Sequence, residues 1–381
     1  MEDPAPPSPS VLLARIAAHG LPGTRQVSVL DPPTDDEFTG LLRQSEHHRL
    51  LGLLGAAVID EAVLVTAGQH DRIEEQLQAW LAHALRVERL LLDAADALDA
   101  EGLEHRVLKG AALAHLAYPD PSWRVFGDLD LLVPGDRLTR SASVLARALG
   151  VSRAEAELRP GFDDRFGKEA LLQAPGGPEL DLHRTFAQGA LGLTIELGDL
   201  FVPGQAFTVG EHRLQALPPS QQLIHAAYAA VIGDWPPRLA SVRDVAQILL
   251  TLDPPLAEVL DFARRWRAEA ILARGVTMAW DLLAPTVQPP LVGWAASYRA
   301  PRVDRLLLAS HIGPARGTTR HLAALLVIPG LSDRAAYLRA VTWPHSDYLR
   351  SRGLDRRRHL RRAVERLRPD RRSAPRRQPT T

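Results

Sequence analysis

The chain has 381 residues, and its 45 basic and 45 acidic residues give a formal net charge of zero. It has no cysteine, which excludes a disulfide scaffold, a thiolate zinc site and a cysteine nucleophile. The length favours two to three domains. The longest apolar runs, residues 50–59 and 322–331, are about half as long as a membrane span requires. Because the proline-rich, acidic start is also unlike a secretory signal, we expect a globular, cytoplasmic protein with no membrane partner.

The basic residues are unevenly distributed. Lys109 and Lys168 are lysines, and the other 43 basic residues are arginines. Residues 350–381 hold 13 arginines against 3 acidic residues, so the rest of the chain is acidic. This Arg-rich tail predicts either a nucleic-acid contact, because dense arginine neutralises phosphates, or a solvated extension that lies against the acidic body. Its near lack of aromatic residues favours the extension.

Composition and periodicity divide the chain into five segments. They are a loosely ordered N-terminus (residues 1–34), a helical region (35–102), an α/β core (103–217), a second helical region (218–349) and the Arg-rich tail (350–381). Apolar residues three and four apart predict helices at 11–19, 35–57 and 70–100. Trp80, in the third of these helices, is predicted to anchor the core.

Inside the core the pattern changes to short strands. They are predicted at residues 105–108, 128–133, 168–174, 179–183, 207–209 and 213–216, with helices at 110–116 and 137–149 and a proline-glycine turn at 175–178. Helices follow at 221–232, 239–252, 256–270, 272–283, 302–312 and 321–327. The predicted fold class is α+β, a small mixed sheet with helical regions before and after it.

Paired carboxylates give the first indication of chemistry. Asp128 and Asp130 lie two residues apart on a predicted strand, so both side chains point to one face. Adjacent carboxylates repel each other unless a cation lies between them, which favours a hard divalent metal. Asp181 lies on another alternating strand. If the two strands are neighbours, the three carboxylates converge as two-metal phosphoryl or nucleotidyl transfer requires.

A strand, a glycine turn and a helix precede this pair, at Val107-Leu108-Lys109-Gly110. Backbone N–H groups at such a helix start can hold phosphate, and Lys109 can pair with negative charge. Lys168 has no comparable neighbours in the sequence, and we assign it no role.

Two segments resemble an uncharacterised bacterial nucleotidyltransferase family of the DNA polymerase beta-like superfamily. They are VLKGAALAHLAYPDPSWRVFGDLDLLV at residues 107–133 and ELDLHRTF at 179–186. The family pattern runs from a lysine-glycine turn through a YPDP segment and an arginine to a Gly-Asp-x-Asp strand, and all four parts occur here in order. The resemblance extends more loosely over residues 35–350, and it implies a nucleotidyltransferase α+β core.

The resemblance also implies roles for the carboxylates. Asp128 and Asp130 would hold Mg²⁺ ions, and Asp181 would be the third carboxylate. Asp181 would bind one metal and act as the general base toward the acceptor hydroxyl.

The nucleotide-binding residues that the resemblance implies are Lys109, Gly110, Arg124, Gly127 and His183. Lys109 and Gly110 occupy the turn where the wider superfamily has a Gly-Ser pair that grips the triphosphate. Phosphate would therefore be held by backbone N–H groups and by Lys109 and Arg124.

Some of these residues have structural alternatives. His183 either supports the metal ligands, contacts substrate, or is a half-buried strand histidine. Arg124 is alternatively a clamp on the loop that precedes it. Tyr118 and Trp123 are predicted to pack rather than to stack on a base. Asp244 resembles a helical acidic residue of the family, but helix capping or an arginine partner explains it equally well.

These residues support three functional hypotheses. The first is an Mg²⁺-dependent enzyme that transfers NMP from an NTP to a hydroxyl acceptor and releases pyrophosphate. A small molecule, peptide or protein is favoured over RNA as the acceptor. The second is a non-catalytic accessory protein on the same fold, for example in a peptide-modifying biosynthetic pathway. The third is nucleotidyl transfer to RNA guided by the Arg-rich tail.

Overall fold

The computed structural model describes residues 11–24, 31–173, 176–313 and 316–358. The predicted α+β class is confirmed, because helical regions precede and follow a seven-stranded mixed sheet in the chain. The strands are β1 (Arg106–Val107), β2 (Asp128–Leu132), β3 (Ser152–Arg153), β4 (Glu169–Gln173), β5 (Glu179–His183), β6 (Gln205–Val209) and β7 (His212–Ala216). Their order in the sheet is β3-β4-β5-β2-β1-β7-β6.

Strand β2 lies at the centre of the sheet. It pairs antiparallel with β1 and parallel with β5. Strands β4 and β5 are antiparallel, as are β6 and β7, so both predicted strand pairs are confirmed. The first part of the predicted turn at 175–178 lies outside the described residues. Strand β3 was not predicted, and it adds an edge beside β4.

The described part of the N-terminal region contains four helices. They are α1 (Val11–Ala18), α2 (Asp35–His47), α3 (Leu51–Ile59) and α4 (Ala67–Ala100). The prediction of a single helix over 35–57 is wrong. The helical conformation is interrupted between α2 and α3, where Arg49 adopts a left-handed φ of 56°. Residues 1–10 and 25–30 of the predicted loosely ordered N-terminus lie outside the described residues.

The core segment adds four helices around the sheet. They are α5 (Lys109–Leu116), α6 (Leu138–Leu149), α7 (Phe162–Phe166) and α8 (Ala190–Leu193). Alternate residues of β2 and β5, such as Leu129 and Leu180, pack with Leu91 of α4 and Leu145 of α6 in one buried cluster. This side of the sheet is therefore apolar, and the polar alternates of the same strands point to the opposite side.

The elements in the described part of the C-terminal region are helices. They are α9 (Pro219–Tyr228), α10 (Leu239–Thr251), α11 (Leu256–Arg265), α12 (Glu269–Leu283), α13 (Pro290–Ser297), α14 (Arg302–Ala309), α15 (Arg316–Val327), α16 (Leu331–Thr342) and α17 (Ser346–Ser351). The helix predicted at 221–232 continues beyond Tyr228 as a π-helical turn, Ala229–Gly233. Helices α13, α16 and α17 were not predicted. Helices α1 and α3 share one apolar core with α9, α10 and α12.

Part of the Arg-rich tail lies on the protein surface. Arg352 Nη2 is 2.5 Å from Glu155 Oε2, and the guanidinium of Arg356 lies 4.7 Å from the Trp343 ring centroid. These contacts agree with a tail that lies against the body. Residues 359–381 fall outside the described residues, so a nucleic-acid contact there stays a prediction. Among the described residues, no helix combines the length and the apolar character that a membrane crossing requires.

Candidate active site

Two neighbouring strands bring the predicted carboxylates to one face of the sheet. Strands β2 and β5 run parallel, and in their register Asp130 lies opposite Asp181 and Asp128 lies opposite Glu179. Opposite residues on paired strands point to the same side of a sheet. The expectation that these two strands are neighbours is therefore confirmed.

Asp130 is the most enclosed of the three predicted carboxylates, with its side chain 2% exposed. Its Oδ1 atom lies 2.8 Å from Lys109 Nζ and 2.7 Å from His183 Nε2. Burial alone would raise the pKa of Asp130, but Lys109 and then His183 outweigh burial and hold that pKa far below its usual range. Asp130 is therefore a fixed negative charge at neutral pH.

Lys109 reaches Asp130 from a strained turn at the end of β1. Its φ of 27° lies in the left-handed region, and Gly110 follows with a ψ of −107°, outside helical geometry. The turn is tied to β2 because Leu108 N donates a hydrogen bond to the carbonyl oxygen of Asp130 at 3.0 Å. Burial would lower the pKa of Lys109, but Asp130 and then Asp128 raise it to about 12. The turn thus holds a charged ammonium group among carboxylates.

Glu169 and Lys168 extend these contacts onto β4. Glu169 lies opposite His183 in the register of β4 and β5, and its Oε2 atom is 3.4 Å from His183 Nδ1 and 2.5 Å from Lys168 Nζ. We call Lys109, Asp130, His183, Glu169 and Lys168 the charge row. Glu169 was not predicted to be a site residue. The statement that Lys168 has no comparable neighbours was wrong, because Lys168 contacts Glu169. The rarity of lysine was the available signal, since both lysines of the chain lie in the charge row.

The two remaining predicted carboxylates differ in their surroundings. Asp181 is half-buried, and burial, followed by the charge of Glu169, raises its pKa to about 6. A carboxyl group with this pKa can accept a proton near neutral pH. Asp128 is also half-buried, and its Oδ1 atom faces Arg49 Nη1 at 3.5 Å.

Three of these side chains can hold a metal ion together. One ligand atom each from Asp130, Asp181 and His183 lie within 4.8 Å of one another. The predicted ligand set contained Asp128 in place of His183, and Asp128 is not in this group. One buried atom here, His183 Nδ1, makes no hydrogen bond, which is uncommon in folded proteins. The donor set and this unpaired nitrogen fit a divalent cation.

Arg124 lies in a second buried cluster. Its Nε and Nη2 atoms donate to the two carboxylate oxygens of Asp244, each at 2.8 Å, and its Nη1 donates to the carbonyl oxygen of Val125 at 2.7 Å. Tyr118 donates its hydroxyl proton to Asp244 Oδ1 at 2.7 Å. We call Tyr118, Arg124 and Asp244 the Asp244 cluster.

The contacts of the Asp244 cluster bear on three predicted roles. They do not support a nucleotide-binding role for Arg124, because its guanidinium group is buried and already engaged. They fit the alternative of a clamp, with Asp244 as the partner. For Asp244 they fit the arginine-partner alternative, and for Tyr118 they fit packing.

Helix α4 supports Gly127, the residue before β2. His83 Nε2 lies 2.8 Å from the carbonyl oxygen of Gly127, and a Cβ atom at Gly127 would lie 3.5 Å from the Trp80 ring. Trp80, predicted as a core anchor, is only half-buried and packs against the core from this edge. Trp123 is likewise half-buried against the core.

Comparisons with known proteins identify a family for the chain. The solution structure of the antibiotic-resistance factor ANT(2'')-Ia is 18% identical, with 53% of this chain and 91% of that chain covered and a TM-score of 0.28. The crystal structure of an antigenic nucleotidyltransferase-like protein from Paracoccidioides brasiliensis is 15% identical, with 53% and 95% covered and a TM-score of 0.33. No curated protein matches the chain. A family model described as "Uncharacterised nucleotidyltransferase" matches residues 34–284. Because this match spans more than half of the chain and includes the charge row, the chain belongs to this family of nucleotidyltransferases.

Proposed function

We propose that the protein transfers NMP from an NTP to a hydroxyl acceptor and releases pyrophosphate, and that Mg²⁺ accompanies the NTP. The observation that carries this proposal is the in-register pairing of Asp130 with Asp181 beside the Lys109 turn, in a chain of the nucleotidyltransferase family. The order of the motifs also supports membership of the DNA polymerase beta-like superfamily. A bacterial origin and a cytoplasmic location, where NTP is available, are part of the proposal.

Asp181 is the proposed general base. Its raised pKa suits proton acceptance near neutral pH. The acceptor hydroxyl passes its proton to the Asp181 carboxylate, and the acceptor oxygen then bonds to the α-phosphorus. The bond from the α-phosphorus to the oxygen that bridges to the β-phosphate breaks, and pyrophosphate leaves with that electron pair.

The Lys109 turn is the proposed phosphate contact. Its ammonium group carries a full positive charge beside Asp130, and the backbone at Gly110 departs from helical geometry at the same point. Divalent ions held by Asp128, Asp130 and Asp181 supply, when bound, the positive charge that stabilises the entering and leaving oxygens. Lys109 orients and neutralises the phosphates next to them, which helps because the transferred group carries several negative charges.

The proposed acceptor is a small molecule, a peptide or a protein. Together with Asp128, Asp181 and Glu179 on the same face, the charge row carries more negative than positive groups. A neutral hydroxyl compound meets less repulsion at such a face than an RNA backbone does. Transfer to RNA guided by the Arg-rich tail is therefore the less favoured reaction.

The test follows the α-phosphate and the γ-phosphate of the NTP separately, each with its own radioactive label. Protein, Mg²⁺ and a cell extract are incubated with NTP labelled at the α-phosphate or at the γ-phosphate, for the wild type, Asp130→Asn and Glu179→Gln. Glu179 is a matched control because it lies on the same face of β5 but is exposed. We expect the α-label to enter an acceptor and the γ-label to leave in pyrophosphate. Asp130→Asn should lower the rate by about a thousandfold, and Glu179→Gln should leave it nearly unchanged.

Two outcomes would contradict the proposal. Transfer of the γ-label to the acceptor would indicate a kinase. No transfer of either label, by protein that Mg²⁺ and NTP nevertheless stabilise against heat, would indicate the accessory protein of the second hypothesis. The size of the labelled product separates RNA from the smaller acceptors.

A further inference from the structure

The possible metal ligands on this face include a nitrogen donor. The ligand atoms of Asp130, Asp181 and His183 lie within 4.8 Å of one another. Ligands of one ion lie at most about 4.2 Å apart, since each metal–ligand bond is about 2.1 Å long. A shift of about half an ångström, well within side-chain freedom, lets one ion contact all three side chains.

His183 is placed as metal-binding histidines commonly are. Its ring is fully buried, and its Nδ1 atom lies 3.4 Å from Glu169 Oε2. His183 Nδ1 makes no hydrogen bond, and Glu169 Oε2 is paired with Lys168 Nζ at 2.5 Å. A carboxylate that accepts the proton of one ring nitrogen fixes the tautomer and presents the lone pair of the other nitrogen to a metal. Glu169 is positioned to do this for His183 Nε2.

Two nitrogen atoms contact the Asp130 carboxylate. Lys109 Nζ and His183 Nε2 both contact Asp130 Oδ1, at 2.8 and 2.7 Å. Nε2 binds a cation in the tautomer that carries its proton on Nδ1, because a metal-bound imidazole nitrogen carries no proton. Lys109 can then turn from Asp130 toward phosphate, since the cation takes over the neutralisation of this carboxylate.

We propose that Asp130, Asp181 and His183 form a mixed oxygen–nitrogen site for a first-row transition-metal dication, with Glu169 as the residue that positions His183. This proposal rests on the proposed function and deepens it. Mg²⁺ prefers oxygen ligands and keeps several waters, whereas imidazole suits transition metals. The Mg²⁺ that accompanies the NTP binds to carboxylate oxygens, and the site that contains His183 binds the second ion, the transition-metal dication.

The experiment uses Mn²⁺ as the probe, without NTP. Electron spin-echo envelope modulation of the Mn²⁺ complex detects a directly bound histidine nitrogen, and titration against Mg²⁺ gives the ratio of the two affinities. The variants are His183→Gln, Glu169→Gln and the matched control His83→Gln, a nearby histidine whose contact is the Gly127 carbonyl.

We expect nitrogen modulation in the wild type and in His83→Gln, and its loss in His183→Gln. The preference for Mn²⁺ over Mg²⁺ should fall about tenfold or more in His183→Gln. Glu169→Gln should weaken Mn²⁺ binding by about tenfold and keep the modulation. If His183→Gln does not fold, the same measurement is made on wild-type protein with isotopically labelled histidine. The label changes the modulation only if a histidine nitrogen is bound to Mn²⁺, so this measurement tests the nitrogen ligand without the variant.

Wild-type protein that binds Mn²⁺ without nitrogen modulation, or that binds no Mn²⁺, overturns the proposal. So does modulation that persists in His183→Gln. Failure of this site is distinguishable from failure of the proposed function. NMP transfer without nitrogen modulation would remove the histidine site alone, and nitrogen modulation without NMP transfer would remove the proposed reaction alone.

Discussion

The charge row and the Asp244 cluster are both groups of charges with buried members, and both draw on the segment 107–133. They differ in how completely their polar atoms are paired. In the Asp244 cluster, each carboxylate oxygen accepts a hydrogen bond from Arg124, and Tyr118 adds a second to Oδ1. In the charge row, the buried His183 Nδ1 atom makes no hydrogen bond.

The two regions also differ in what their charges do to neighbouring groups. Burial, together with the charge of Glu169, raises the pKa of Asp181 to about 6. In the Asp244 cluster, Asp244 faces the guanidinium group of Arg124 and interacts with that of Arg243, and Asp244 and then Tyr118 raise the pKa of Arg124 despite its burial. A group of charges that is complete without a ligand stabilises a fold, whereas one that retains unfavourable charge is completed by a ligand.

The largest expected effect tests the Asp244 cluster as a purely structural element. Asp244→Asn leaves the buried guanidinium of Arg124 without a counter-charge, so we expect a loss of about 3–5 kcal/mol in the free energy of unfolding. Urea unfolding measures this loss. The control Asp93→Asn removes an exposed helical pair with Arg89 and should cost about 0.5 kcal/mol or less. If the Asp244→Asn protein is stable but has lost NMP transfer, the Asp244 cluster is part of the active site and is not a purely structural element.

A smaller effect tests whether the charge row needs a compact cation. Lys109→Met removes the ammonium group beside Asp130, so we expect kcat/KM for NMP transfer to fall about a hundredfold. Lys109→Arg should not restore the rate, because a planar guanidinium group cannot replace a point charge on a short contact. Steady-state kinetics on folded protein measures both variants. Full activity in Lys109→Arg would mean that the lysine reflects chance in an arginine-rich chain.

The sequence predicted the strands of the site well. Strand β5 has the predicted bounds, and β2 differs from its prediction by one residue. Alternation of apolar and acidic residues identifies such strands and the face of each residue. It does not identify the neighbour across the sheet, so the position of Glu169 beside His183 could not be predicted from the local pattern.

Long-range partners also explain the other differences. The Arg124 role depends on Asp244, which lies 120 residues away in sequence. The helix is interrupted at Arg49 because this residue is left-handed, and no glycine or proline at that position indicates the interruption in the sequence. A pattern in one segment shows which side chains are available for pairing, and the tertiary structure then determines the partner.

The smallest expected effect links the charge row to stability through His225 of α9. His225 is buried and stacks on Phe186 with 4.4 Å between ring centroids. Burial, and then the charge of Lys109, lower its pKa well below the ordinary 6.5. The folded protein therefore leaves His225 neutral below pH 6.5, whereas the unfolded chain protonates it.

Stability should consequently fall as the pH falls below 6.5, because the unfolded state then binds the extra proton. Relative to His225→Gln, we expect the wild type to lose up to about 1.4 kcal/mol per pH unit in this range. Urea unfolding at a series of pH values measures the difference, and subtracting the variant removes the contributions of other titrating groups. Lys109→Met should raise the pH at which this loss of stability levels off, because Lys109 is the largest charge that opposes protonation of His225 in the folded state. Equal slopes in the wild type and His225→Gln would show that burial does not lower the pKa of His225. The same levelling-off pH with and without Lys109 would show that the charge row does not reach His225.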